Sequence, residues 1–179
     1  MASQERIVVL GIGNPLMRDE GVGVRIVELL MSRYEWPENV EIMDAGTMGL
    51  GMLHMFRDID FALVVDAIQG TEHEPGTIVR LSPDEIAPNQ IMHSLHDVRL
   101  SNVLEAAELA GMKPDVECLG IQIEQMEAWV LELSPALTAM LDDGVQAVLD
   151  VLAEHGATPV PRTEENRDAT VIENLRKEI

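Results

Sequence analysis

Two periodicities alternate along the chain. Ile7–Leu10 is a short, largely β-branched run of the kind a strand buried on both faces needs. From Glu20 to Arg33 the apolar positions Val22, Ile26, Leu29 and Leu30 recur at helical spacing. Val40–Met43 reads as a second strand ending at Asp44, and Leu50–Phe56 as a short helix. Phe61–Val65 is the central strand of the pattern and ends at Asp66. Thr77–Leu81, introduced by Pro75-Gly76, is a further strand. A helix follows from around Ser94–Asp97 to Leu109, stopped by Gly111, and then a strand over Glu117–Ile123. The last helix is signed at both ends, with Ser134 as N-cap, Pro135 at the first helical position and Gly156 beyond its end.

This alternation predicts an α/β fold, an open and largely parallel sheet with helices on both faces. The domain spans 1–156. Residues 157–179, with Pro159, Pro161 and a charged run, read as a tail or extension carrying a short helix near Val171–Lys177. Sites in such sheets form beyond the carboxyl ends of the strands. Three acidic residues fall there: Glu20 after the first strand, Asp44 after the second and Asp66 after the third.

Composition narrows the function. At 179 residues, 46% hydrophobic and 25% charged, the chain suits one globular domain with a sizeable core. It contains no apolar run of membrane-spanning length and no secretory signal pattern, so no membrane partner is expected. The single cysteine, Cys118, lies in a strand and reads as a buried, inert thiol in a reducing compartment, and the expected location is cytoplasmic. A net charge of −20 argues against nucleic acid and favours cations or a partner with a basic patch. The eleven methionines read mainly as core filler, including Met48, Met52 and Met55 beside Asp44.

The stretch VVLGIGNPLMRDEGVGVRIVELL (8–30) begins like a phosphate-binding turn. Gly11 and Gly13 fit a dinucleotide fingerprint, and Asp44 stands where a ribose contact belongs, but Leu16 replaces the third glycine. Asp19 and Glu20 occupy the corner where a pyrophosphate would rest and would repel it. Converging carboxylates suit a metal cation instead, with a histidine as the expected nitrogen donor. Of the five histidines, His155 reads as a surface residue at a helix end, His73 lies in a charged loop and His54 in an apolar helical stretch, as a core or cleft-wall residue. His93 and His96 form an H-x-x-H pair at a helix start, and on spacing alone either or both serve as ligands.

Four segments in this order, GIGNPLMRDEGVGVR (11–25), DAGT (44–47), VVDA (64–67) and SLH (94–96), resemble the hydrogenase maturation endopeptidases. The resemblance covers roughly residues 6–155. It implies a single α/β domain with a twisted five-stranded sheet, and removal of a C-terminal peptide from the [NiFe]-hydrogenase large-subunit precursor after nickel insertion. Carried over by motif, the metal ligands are Glu20, Asp66 and His96, with the Ni²⁺ supplied by the substrate; His93 falls outside the match. Asp44 is a second-tier site residue. Where the family often has D-G-G-T, this chain has Ala45, which lacks free access to positive φ. Zn²⁺ or Cd²⁺ are adventitious occupants of such a site, and a monomer is the expected state. No H-E-x-x-H is present, and neither Ser94 nor Cys118 is marked as a nucleophile. For Asp19 the plain reading is a helix-start acid. Two alternatives share features of this sequence: a non-catalytic nickel-sensing maturation chaperone with the same three ligands, and a dinucleotide-dependent oxidoreductase, which Leu16, Asp19 and Glu20 disfavour.

Overall fold

The computed structural model describes residues 4–82, 85 and 100–163. Among the described residues there are seven strands: β1 (Ile7–Ile12), β2 (Tyr34–Glu35), β3 (Val40–Gly46), β4 (Phe61–Ile68), β5 (Ile78–Leu81), β6 (Asp115–Gln122) and β7 (Val160–Pro161). Five of them form the main sheet, in the order β3-β1-β4-β6-β5. Its pairings are parallel except for β5, which runs antiparallel to β6. Every residue of β1 and β4 is buried, as central parallel strands covered on both faces must be. The edge strand β5 is only half-buried. Its Arg80 reaches outward to Glu117 and Glu154, a charged finish that discourages further strand addition.

Strand side chains alternate between two cores. Ile7, Val9, Phe61, Leu63 and Val65 pack against α1 (Val22–Arg33) and against the C-terminal helix residues Val145, Val148, Val151 and Leu152. Val8, Leu10, Ala62, Val64 and Ile68 pack on the opposite face against a 3₁₀ helix (Gly49–Phe56) and α2 (Leu100–Leu109). The link from β1 to β3 therefore crosses one face and the link from β3 to β4 crosses the other. The topological switch lies between β1 and β4.

Several elements depart from the sequence reading. The segment expected as a short helix over Leu50–Phe56 is 3₁₀, since Gly49 and Gly51 weaken an α-helix there. β4 continues to Ile68, so Asp66 lies inside the strand rather than after it. A 3₁₀ turn (Arg18–Gly21) precedes α1, which begins only at Val22. The final helix is two: α3 (Pro135–Ala139) and α4 (Leu141–Glu154), parted at Met140. Pro135 opens α3 as expected, but Ser134 supplies no side-chain cap. Gly156 does close α4, in a left-handed conformation with φ 70°. Beyond it Ala157 is buried, and β7 pairs antiparallel with β2. The helix expected near 171–177 lies outside the described residues. Among the described residues, no helix is long and apolar enough to cross a membrane.

Candidate active site

The glycines of the first motif serve backbone packing. A Cβ on Gly13 (φ 132°) would sit 1.9 Å from the Glu20 carbonyl oxygen. One on Gly23 would sit 2.3 Å from the Val65 carbonyl oxygen and 2.4 Å from that of Ile12. Without those Cβ atoms the chain folds back over the end of β1, and α1 starts directly on the backbones of β1 and β4. The N-terminus of α1 is thereby covered: Gly21, Val22 and Gly23 are buried. No diphosphate reaches its free N–H groups, and the dinucleotide reading loses its structural basis.

What this folding places at the switch is Glu20. It is 1% exposed, at the end of β1, and Asp66 is 3% exposed near the end of the neighbouring β4. The Asp66 carboxyl is pushed up to about 7, chiefly by burial. The N–H of Ala67 donates to its Oδ1 at 2.8 Å and works the other way, while the charge of Glu20 raises it further. A carboxyl held out of water beside a second carboxylate, as Asp66 is, keeps its proton above the ordinary range unless a cation intervenes. Cys118, fully buried in β6, has its thiol pushed well up by burial and then by the charge of Asp66. That bears out the inert reading, because the nucleophilic form is the thiolate.

Asp19 is not a plain helix-start acid. Although 0% exposed, it accepts hydrogen bonds from the Ser134 N–H at 2.7 Å and the Gln125 N–H at 3.2 Å. Its own N–H donates to the Gln125 carbonyl at 3.3 Å. It therefore pins a loop more than a hundred residues downstream onto the first motif. The same seam carries a parallel bridge between Met17 and Val130, with Trp129 N–H donating to Leu16 O at 2.7 Å and Arg18 N–H to Val130 O at 2.9 Å. Nothing in the periodicity of the sequence signals this loop.

Asp44 stands at the carboxyl end of β3, opposite Gly11, and is exposed. Ala45 needs no positive φ, because it is the extra residue of a bulge and Gly46 takes the left-handed conformation (φ 46°). Its side chain is fully buried in the second core. Met52 and Met55 are core residues as expected, but Met48 is 46% exposed. The histidines sort unevenly. His54 is exposed, contrary to the core or cleft-wall reading, because the 3₁₀ turn rotates it outward, where its Nδ1 bonds the Gly51 carbonyl at 2.6 Å. His155 is half-buried, stacked on Phe61 at 3.7 Å and bonded to Glu5 at 3.0 Å, and so less a surface residue than expected. His73 is exposed. His93, Ser94 and His96 lie outside the described residues. Among the described residues no three acidic, histidine or cysteine side chains cluster as a metal cage; Glu20 and Asp66 are two. Two open recesses, of about 280 Å³ beside Pro114 and about 350 Å³ beside Gly76, are lined by neither carboxylate. The two carboxylates are marked by their place at strand ends rather than by a recess.

A sequence model of the hydrogenase maturation protease family matches residues 24–151. The hydrogenase 2 maturation protease of Escherichia coli K12 is 38% identical over 161 residues, 88% of this chain and 96% of that protein. The hydrogenase expression/formation protein HoxM of Cupriavidus necator is 36% identical over 170 residues, 93% of this chain and 83% of its own. Among solved structures, the hydrogenase maturating endopeptidase HybD from E. coli superposes with a TM-score of 0.78 at 36% identity. That match covers 88% of this chain and 98% of the other. The hydrogenase maturation protease HycI from Thermococcus kodakarensis, at 22% identity and TM-score 0.70, shares the fold, covering 85% of this chain and 95% of its own.

Proposed function

The chain belongs to the hydrogenase maturation protease family and is a peptidase; from that premise we propose that it removes the C-terminal extension of a [NiFe]-hydrogenase large-subunit precursor after nickel insertion. Glu20, Asp66 and His96 recognise the nickel, which arrives as part of the substrate. The observation that carries this reading is the buried Glu20–Asp66 pair at the switch between β1 and β4, with Asp66 pushed up to about 7. Such a pair favours a divalent cation. Ni²⁺ accepts oxygen and nitrogen donors together, which fits two carboxylates and an imidazole.

In this reading Asp66 gives up its proton on meeting the metal, and the fixed positions of Glu20 and Asp66 at two adjacent strand ends orient the precursor. Held by these residues, a divalent ion would supply Lewis acidity to a carbonyl or a bound water, as in metal hydrolases. Rigid placement matters because a misplacement of about 1 Å costs about a hundredfold in rate. The close-packed glycines beneath Glu20 supply that rigidity. The protein acts as a monomer in the cytoplasm; Zn²⁺ and Cd²⁺ enter the site only adventitiously.

The test is the intact mass of purified large-subunit precursor, with and without nickel, after incubation with the full chain. Loss of a C-terminal fragment from the nickel-loaded form alone is expected. Glu20→Gln, Asp66→Asn and His96→Ala should each slow that loss by about a hundredfold or more, exceeding the tenfold to hundredfold typical of outer-shell changes. Equal cleavage of the nickel-free precursor sinks the recognition role. An unchanged mass alongside a stable complex makes the protein a chaperone instead.

A further inference from the structure

We propose that Trp129, with Leu16 and Leu131 beside it, is the anchor on which the precursor docks, receiving an apolar side chain flanked by lysine or arginine. The inference rests on the proposed function and deepens it by stating the chemistry of the partner segment. Trp129 is 83% exposed, Leu16 45% and Leu131 52%. The hydrogen bond from Trp129 N–H to Leu16 O, at 2.7 Å, brings two of the three together from opposite ends of the chain.

Three facts select this patch and its occupant. The first is continuity with the site: Leu16 lies four residues before Glu20, and the loop bearing Trp129 is pinned by Asp19, the residue adjoining Glu20. The second is backbone strain. Arg18 (φ 54°) and Trp129 (φ 67°) are both non-glycine residues in the left-handed region, on the two sides of the Met17–Val130 bridge. Left-handed residues of this kind concentrate at functional sites. Here the strain presents the largest apolar side chain outward, where folding derives no benefit from it. The third is charge. Glu124, Glu127 and Glu132 are exposed on the same loop, interleaved with the apolar residues, in a chain of net charge −20. The cation beside them, Arg18, pairs with Glu127 at 2.9 Å. A tryptophan on a loop rich in exposed carboxylates suits a polypeptide that is apolar at one position and basic beside it, since buried aromatic anchors carry affinity and rim charges set specificity.

The experiment labels the full chain with 5-fluorotryptophan and adds unlabelled, nickel-loaded precursor. The chain has two tryptophans, so two fluorine resonances report. That of Trp129 should shift and saturate, while that of half-buried Trp36 stays in place. In cleavage assays Trp129→Gly, which removes the indole and suits the positive φ, should raise KM about tenfold or more with far less change in kcat. Trp129→Phe should restore most of the loss. Normal cleavage with an unmoved Trp129 resonance, or an unchanged KM in Trp129→Gly, overturns the docking while leaving the peptidase reading intact. A saturating shift without cleavage supports the docking and overturns the peptidase reading. A shift that follows the protein's own concentration, in the absence of precursor, assigns the patch to self-association and overturns the proposal.

Discussion

At the scale of single residues, the burial of Asp66 sets stability against the proposed function. Its carboxyl lies at about 7 in the folded protein against an ordinary 3.8, so the fold retains a proton that the unfolded chain releases. The stabilisation is complete below about pH 4 and is lost as pH rises through about 7, an effect on the order of 4 kcal/mol for the metal-free protein. Asparagine copies the neutral acid and retains an oxygen for the Ala67 N–H. Asp66→Asn should therefore raise the melting temperature by several degrees near pH 8 and by little near pH 4, while slowing nickel-dependent cleavage about a hundredfold or more. Calorimetry at the two pH values decides: an equal shift at both would mean that Asp66 ionises freely in the fold. The residue-level arrangement was partly legible in the sequence. Glu20 and Asp66 stood out because acids at strand ends are visible as punctuation. The role of Asp19 was not, because its partners Gln125 and Ser134 are distant in sequence.

At the scale of elements, the first motif works as a clasp of glycines. α1 begins where the carbonyls of Ile12 and Val65 leave no space for a side chain at position 23. Gly23→Ala should force the helix off both strands and cost about 3 kcal/mol or more, seen as a lower urea midpoint. Gly111→Ala is the contrast: its φ is 81° with nothing within 4 Å, so only local strain of about 1–2 kcal/mol is expected. Equal midpoints for the two variants would show that the close approach at position 23 relaxes at no cost. The β1, β4 and β6 runs, α1 and the Gly156 stop were readable because fully buried strands and amphipathic helices carry strong patterns. The C-terminal end of β4 and the break at Met140 were not, since hydrogen bonds to neighbours extend or stop an element where hydrophobicity is silent.

At the scale of the whole molecule, the acidic field acts on encounter. A precursor segment carrying lysine or arginine should be drawn to the loop of Glu124, Glu127 and Glu132. Its association rate should fall as salt rises from about 0.01 M to about 0.15 M and the Debye length shortens from about 30 to about 8 Å. Stopped-flow mixing with the precursor measures this; a rate independent of salt would make the net charge a matter of solubility alone. The dissociation rate should change less, because close contacts rather than long-range field hold the complex.

The sequence by itself determined the α/β class, the buried strands, the strand-end carboxylates and the buried thiol. These follow from local periodicity and from the rule that parallel strands end where sites form. Tertiary structure alone decided that Glu20 and Asp66 feel each other's charge, that the glycines close the helix N-terminus to phosphate, and that Asp19 ties residues 125–134 to the first motif with Trp129 facing water. Each of these depends on chain segments meeting across tens of residues or more. The free energy of such contacts comes from packing and desolvation, which no short window of sequence contains.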